Sequence, residues 1–230
     1  QVLWGKTLNE KDWQSAGAVF KRKGTTGTWD KKEGIEDTWD FSLNDLSFSL
    51  KLLPSKHVGV FPEQSAQWSW LEEKISKAKN PSILNLFGYT GGATLACARS
   101  GAEVCHIDSS EFVVDIAKKN LKNSGLGEKP VRFIVDDVRK FVEREIKRGK
   151  KYDIILLDPP VYGKGSKKEV WNIEEDLLPL LKRIKNILSD KPIAVVLNGY
   201  ASVYSSHTYE NLLKSVFKGR ISGGEMCIKE

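Results

Sequence analysis

Cysteine is scarce in this chain of 230 residues: Cys97, Cys105 and Cys227 are the whole set. An odd number without metal-ligand spacing argues against a disulfide framework and a metal site, and points to a reducing, cytoplasmic setting. Long apolar runs are missing too. No stretch approaches the roughly 20 residues of a membrane span, so no membrane is expected as a partner. The opening Gln1-Val2-Leu3-Trp4-Gly5-Lys6 has no signal-peptide pattern, and the lack of an initiator Met leaves open that residues precede it. There is no internal repeat and no low-complexity segment. His57 and His207 stand without a nucleophile partner in sequence, which favours surface or core roles over catalysis.

What is present is ordinary globular composition, with 40% apolar residues and a net charge of +6. The length suits one sizeable core plus a small appendage, and the charge is a modest lean toward polyanions. Residues 1–60 hold Trp4, Trp13, Trp29 and Trp39, glycine punctuation, and basic clusters at Lys21-Arg22-Lys23 and Lys31-Lys32. They read as a small β-rich extension, with a hairpin expected where Phe41 to Leu53 partly alternates. From 61 onward a linker leads into a helix over 65–78, marked by Trp68, Leu71 and Ile75 at helical spacing. Strand, turn and helix then alternate, with apolar strands at 83–87, 103–107, 131–135, 152–157 and 193–197. That rhythm predicts an α/β fold with a doubly wound sheet. Residues 223–228 read as one further strand, whose exposed edge or missing partner suggests a truncated C-terminus.

The strand over 152–157 is apolar until Asp158 and runs into Pro159-Pro160-Val161-Tyr162-Gly163-Lys164-Gly165. Two prolines end the ladder and turn carbonyls outward as acceptors beside a carboxylate. The first strand runs into Asn85-Leu86-Phe87-Gly88-Tyr89-Thr90-Gly91-Gly92. Glycines there let backbone approach a ligand, and the helix behind offers free N–H groups. The turn departs from the dinucleotide fingerprint G-x-G-x-x-G by placing bulk at Tyr89-Thr90, so a ligand without phosphate fits better. Asp108 ends the second strand, where such folds bind ribose hydroxyls; Asp136-Asp137 ends the third and Asp158 the fourth. Each alone could be a helix cap. Together they point to a nucleoside-containing ligand lying across the strand tips.

The ordered set Phe61-Pro62-Glu63-Gln64, Phe87 to Gly92, Asp108, Asp136-Asp137-Val138 and Asp158-Pro159-Pro160 resembles the class I S-adenosylmethionine-dependent methyltransferases. It is most similar to the branch containing bacterial 23S rRNA methyltransferases, over about residues 59–199. The resemblance implies a Rossmann-like methyltransferase domain over 61–230 and S-adenosyl-L-methionine as cofactor. It implies that the turn from Asn85 and Phe87 through Gly88, Tyr89, Thr90, Gly91 and Gly92 holds the methionine end. Asp108 with Ser109 would hold the ribose, Asp136 and Asp137 with their backbone the adenine, and Phe61, Glu63 and Gln64 would close over the cofactor.

Asp158, Pro159, Pro160 and Tyr162 are then the candidate catalytic residues, similar to loops that methylate base nitrogens or planar amides. Val161 separates Tyr162 from the prolines, a departure from the tighter Asp-Pro-Pro-Tyr pattern. Relatives that methylate C5 of cytosine use a cysteine near the end of the fifth strand. Here that place reads Asn198-Gly199-Tyr200, which argues against covalent C5 chemistry. Lys164, Lys167 and Lys168 read as a basic, mobile loop, with Trp171 either stacking on a base or packed against the next helix. The expected activity is methylation of a base nitrogen in ribosomal RNA. A small-molecule or protein methyltransferase is the alternative, and a dinucleotide oxidoreductase or non-catalytic adenosine-binding module the reading from another class.

Overall fold

The computed structural model describes residues 9–24, 26–165 and 169–228. Trp4, Lys167 and Lys168 lie outside the described residues. The chain divides into two compact units, 1–41 with 49–60, and 42–48 with 61–230.

The first unit contains a short helix α1 (Glu10–Ser15) and the antiparallel hairpin β1 (Ala18–Lys23) and β2 (Thr26–Lys31). Phe20 and Trp29 face each other across that hairpin edge to face, 5.2 Å between centroids, and Trp29 Nε1 donates to the Leu53 carbonyl at 2.8 Å. An open cavity of about 550 Å³ is lined by Trp29, Ile35, Trp39, Leu52 and Val58 among others. The expected hairpin is β3 (Thr38–Leu43) with β4 (Leu46–Lys51). Its turn, Asn44-Asp45, has φ of 51° and 59°, the paired left-handed conformation of a two-residue hairpin loop. Leu46, Phe48 and Leu50 are buried at alternate positions.

The second unit carries the parallel sheet. It comprises α2 (Ser65–Ser76), β5 (Ser82–Leu86), α3 (Gly92–Arg99), β6 (Glu103–Asp108), α4 (Glu111–Asn123), β7 (Val131–Val135) and α5 (Val138–Arg148). Then follow β8 (Ile154–Leu157), β9 (Tyr162–Lys164), β10 (Val170–Asn172), α6 (Ile173–Ile184), β11 (Ala194–Leu197) and α7 (Ser206–Val216). The strand order is β11-β8-β5-β6-β7, all parallel, so the winding reverses between β5 and β8. Such a reversal opens a crevice at the carboxyl ends of the strands. Every residue of β8 is buried, as a strand covered on both faces requires. One face packs Leu84, Leu86, Ile107, Ile155 and Leu157 against Phe141, Leu177, Leu181 and Ile184 from α5 and α6.

Residues 223–228 do not form the expected strand. The Gly223 N–H instead donates to Glu210 Oε1 of α7 at 2.9 Å, and β11 ends the sheet among the described residues. Among the described residues on either side of the basic loop, β9 and β10 pair antiparallel; residues 166–168 between them lie outside the described residues. No helix among the described residues is long and apolar enough to cross a membrane.

Candidate functional site

The residues that follow the strands become lateral neighbours because the ladder continues for one more bond. Asn198 N–H donates to the Leu157 carbonyl (2.8 Å), Asp158 N–H to Leu86 (3.3 Å), Gly88 N–H to Ile107 (2.9 Å) and Asp136 N–H to Asp108 (3.0 Å). One row across the sheet tips therefore reads Asn198, Asp158, the Phe87–Gly91 turn, Asp108 and Asp136.

The turn after β5 is tight. Phe87 and Tyr89 both have positive φ (58° and 50°), unusual for bulky residues and a form of strain that clusters at ligand sites. Gly91 sits at φ 93° as the N-cap of α3. Having no side chain, it leaves the first-turn N–H groups of that helix without a side-chain cap, ready for a carboxylate. A Cβ on Gly88 would lie 2.4 Å from the His106 ring, and one on Gly92 2.4 Å from Trp68. His106 is fully buried beneath the turn, and burial pushes its pKa down to about 3, so the ring is neutral. Its Nδ1 lies 2.9 Å from Thr94 Oγ1, which accepts from Asn85 Nδ2 at 2.9 Å. Asn85 thus faces the core under the turn rather than the crevice. Thr90 is buried as well, and its carbonyl accepts from Asn120 Nδ2 at 3.0 Å.

Asp108 is fixed by backbone. Its Oδ2 accepts from Tyr89 N–H (3.0 Å) and its Oδ1 from Ser110 N–H (2.9 Å). Burial raises its pKa, opposed by the N–H groups of Ser110, Tyr89 and Ser109. Two well-placed donors leave further lone pairs on both oxygens. Beside it the Tyr89 hydroxyl is buried with no partner among the described residues, and burial pushes its pKa up to about 12.

Asp137 behaves differently. Its Oδ1 caps α5 by accepting from the N–H groups of Arg139 (2.9 Å) and Lys140 (3.2 Å), and Arg139 Nε (3.1 Å) and Nη2 (2.7 Å) close on both oxygens. Three of the four donors fall on Oδ1 and one on Oδ2, so the carboxylate is largely engaged by its own helix and Arg139, with a lone pair left on Oδ2. Asp136 receives its neighbour's N–H at 2.9 Å and pairs with Arg144.

At Asp158 the expected acceptor row is shorter than the prolines suggest. Pro159 is buried, and the Pro160 carbonyl accepts from Trp171 Nε1 at 2.7 Å. Trp171 is 5% exposed with its ring against Phe87, 4.8 Å between centroids, so base stacking by this residue is ruled out by its burial. Tyr162, by contrast, is 57% exposed at the start of β9. The Asp158 carboxylate itself is pushed up to about 6, chiefly by burial and also by Glu63, while Gln64 and Asn198 hold it down. Gln64 Nε2 donates to Asp158 Oδ2 at 2.8 Å. The Phe61 ring lies 5.7 Å from Tyr89 and 5.5 Å from Tyr200, and the Tyr200 hydroxyl donates to Glu63 Oε1 at 3.1 Å.

The crevice therefore gathers Phe61, Glu63, Gln64, the turn, Asp108 and Asp158. It also gathers Asn198 and Tyr200, which sequence reasoning noted only for the cysteine they replace. A signal was there: Asn198 follows Leu197 as Asp158 follows Leu157, each the first polar residue after an apolar strand, and the two strands pair in register.

The crevice offers uncapped helix N–H groups and a backbone-held carboxylate side by side. The family model for S-adenosylmethionine-dependent methyltransferases matches residues 19–201. The chain belongs to that family. A solved S-adenosylmethionine-dependent methyltransferase from Agrobacterium tumefaciens is 39% identical with a TM-score of 0.91, covering 95% of this chain and 71% of that one. Among curated methyltransferases, ribosomal RNA large subunit methyltransferase I of Shigella flexneri is 31% identical over 147 residues, 57% of this chain and 36% of that protein. Ribosomal RNA large subunit methyltransferase K/L of Methylococcus capsulatus is 34% identical over 113 residues, 48% of this chain and 15% of that protein. The chain thus spans about a third or less of the curated methyltransferases it matches. The family cofactor suits the site: α3 offers its uncapped N-terminus to an amino-acid carboxylate, Asp108 has lone pairs for a ribose diol, and Tyr89 holds an unpartnered buried hydroxyl.

Proposed function

We propose that this methyltransferase acts on a base nitrogen of ribosomal RNA in the cytoplasm. The observation that carries this reading is the Asp158 carboxylate: half-buried, bonded by Gln64, pushed up to about 6, and in register with the turn that would hold the cofactor. S-adenosylmethionine supplies an activated methyl group, so the protein's task is positioning more than covalent help. The Gly88–Gly92 turn and the α3 terminus take the methionine end, Asp108 the ribose, and the backbone around Asp136 the adenine. Phe61 and Tyr89 cover the ring system. Asp158, ionised above about pH 6, accepts from the amino or imino group of the base and takes the proton that the alkylated nitrogen releases. Exposed Tyr162 offers a stacking face.

Nitrogen is favoured over carbon because Asn198 stands where a C5-directed nucleophile would be needed, and an amide cannot form that adduct. Ribosomal RNA is favoured by the names of the curated methyltransferases the chain resembles. A small-molecule or protein acceptor is the second reading. Transfer of labelled methyl from S-adenosylmethionine into rRNA of a deletion strain, set against total protein and metabolites of the same strain, separates them. Label in the rRNA nucleoside fraction is the expected result; label confined to protein or metabolites overturns the RNA assignment.

A further inference from the structure

One side-chain amide, Gln64, bonds the Asp158 carboxylate and a second, Asn198, stands beside it, and each is held by a further side chain. Gln64 Nε2 donates both to Asp158 Oδ2 (2.8 Å) and to the Tyr200 hydroxyl oxygen (3.0 Å). Because Glu63 accepts from that hydroxyl, Tyr200 is left to accept from Gln64, which keeps the amide's NH₂ end turned toward Asp158. On the other side Asn198, whose N–H donates to the carbonyl of Leu157 just before Asp158, stands beside the carboxylate and favours its ionised form. Gln67 grips it reciprocally, with Gln67 Nε2 donating to Asn198 Oδ1 at 2.6 Å and Asn198 Nδ2 donating to Gln67 Oε1 at 3.3 Å. Gln64 and Asn198 are 6% and 7% exposed, so water is a poor substitute partner for either amide.

We propose that Tyr200 and Gln67 are positioning residues of the reaction site: acting through Gln64 and Asn198 respectively, they hold the Asp158 carboxylate in the direction that receives the substrate's N–H. The proposal rests on the reading of Asp158 as the acceptor. A tie between α2 and the end of β11 would need only the Gln67–Asn198 pair; here Gln64 also bonds, and Asn198 flanks, the one half-buried carboxylate. The titratable groups facing Asp158 are Glu63, whose charge opposes its ionisation, and Tyr200. The two amides are what offset Glu63 and burial.

The test titrates Asp158 directly, by ¹³C NMR of its carboxyl resonance in the full chain, assigned with Asp158→Asn. Tyr200→Phe keeps the ring beside Phe61 and drops the hydroxyl; Gln67→Met removes the grip and leaves Asn198 in place. Each is expected to raise the Asp158 midpoint by about half a unit or more and to lower the turnover of methyl transfer while leaving the affinity for S-adenosylhomocysteine near its original value. A midpoint unmoved in both variants, with circular dichroism intact, overturns the proposal; movement in one alone keeps that residue and removes the other. If Gln67→Met does not fold, Tyr200→Phe decides. The titration needs neither cofactor nor substrate, so a failure of rRNA methylation and a failure of this inference are read separately.

Discussion

Asp158 is expensive to keep. Its carboxyl binds a proton more tightly folded (about 6) than unfolded (3.8), so its contribution to stability is greatest at low pH and is lost as pH rises through that window. Asp158→Asn should therefore raise the melting temperature at pH 7 to 8, by on the order of a few degrees, while methyl transfer drops at least tenfold. Wild-type turnover should fall as pH is lowered through about 6; a scan of kcat against pH checks the sign. Asp108 is a cleaner ligand residue. Asp108→Ala should weaken S-adenosylhomocysteine binding by about 1.5–3 kcal/mol in calorimetry, the range for a lost hydrogen bond to a charged group. Circular dichroism should show the sheet unchanged. Unchanged binding would remove the ribose assignment. At this scale sequence separates poorly: Asp108 and Asp137 both follow apolar strands, yet the first rests on backbone N–H groups alone and the second is also paired with the Arg139 side chain two residues on. Only side-chain directions distinguish a ligand carboxylate from a helix cap.

At the scale of elements, much was readable. The run Ile154-Ile155-Leu156-Leu157 announced a strand buried on both faces, and the stripe Phe141, Val142, Ile146 a helix against it. What could not be read was strand order, and with it the adjacency of Asn198 to Asp158. Also hidden was the β9–β10 hairpin, whose strands of three residues are too short to show a period. The basic residues and glycines after Tyr162 read as a coil because nothing local says that Trp171 returns to bond Pro160. The turn after β5 was legible as a glycine turn, but its need for glycine at 88 comes from His106 on the neighbouring strand. Gly88→Ala should cost about 1–3 kcal/mol in urea unfolding, the usual range for overpacking, and weaken cofactor binding with it. An alanine accepted at no cost would mean that the imidazole moves aside freely.

For the whole molecule, residues 42–48 fall in the compact unit of the parallel sheet, apart from their neighbours 1–41 and 49–60. Those residues join the second unit through Ser47 N–H to Ser124 Oγ (2.9 Å) and the Phe48 ring stacked on Trp68. The helical face of α2 could be read in sequence, but not that a hairpin tip would cover it. Net charge is also a property of the whole, and it gives the RNA reading a test of its own. If two or three phosphates are neutralised, affinity for an rRNA fragment should fall roughly ten- to fortyfold between 50 and 200 mM salt, measured by filter binding. An acceptor without phosphates would show almost no such dependence.

The three thiols introduced at the outset are not equivalent once folded. Cys97 and Cys105 are buried, and burial pushes both upward, Cys105 to about 11, so neither supplies thiolate at neutral pH. Cys227 is exposed. A maleimide dye added to the native protein should accordingly attach at one place, giving a ready fluorescent reporter for watching substrate arrive without removing a single native side chain.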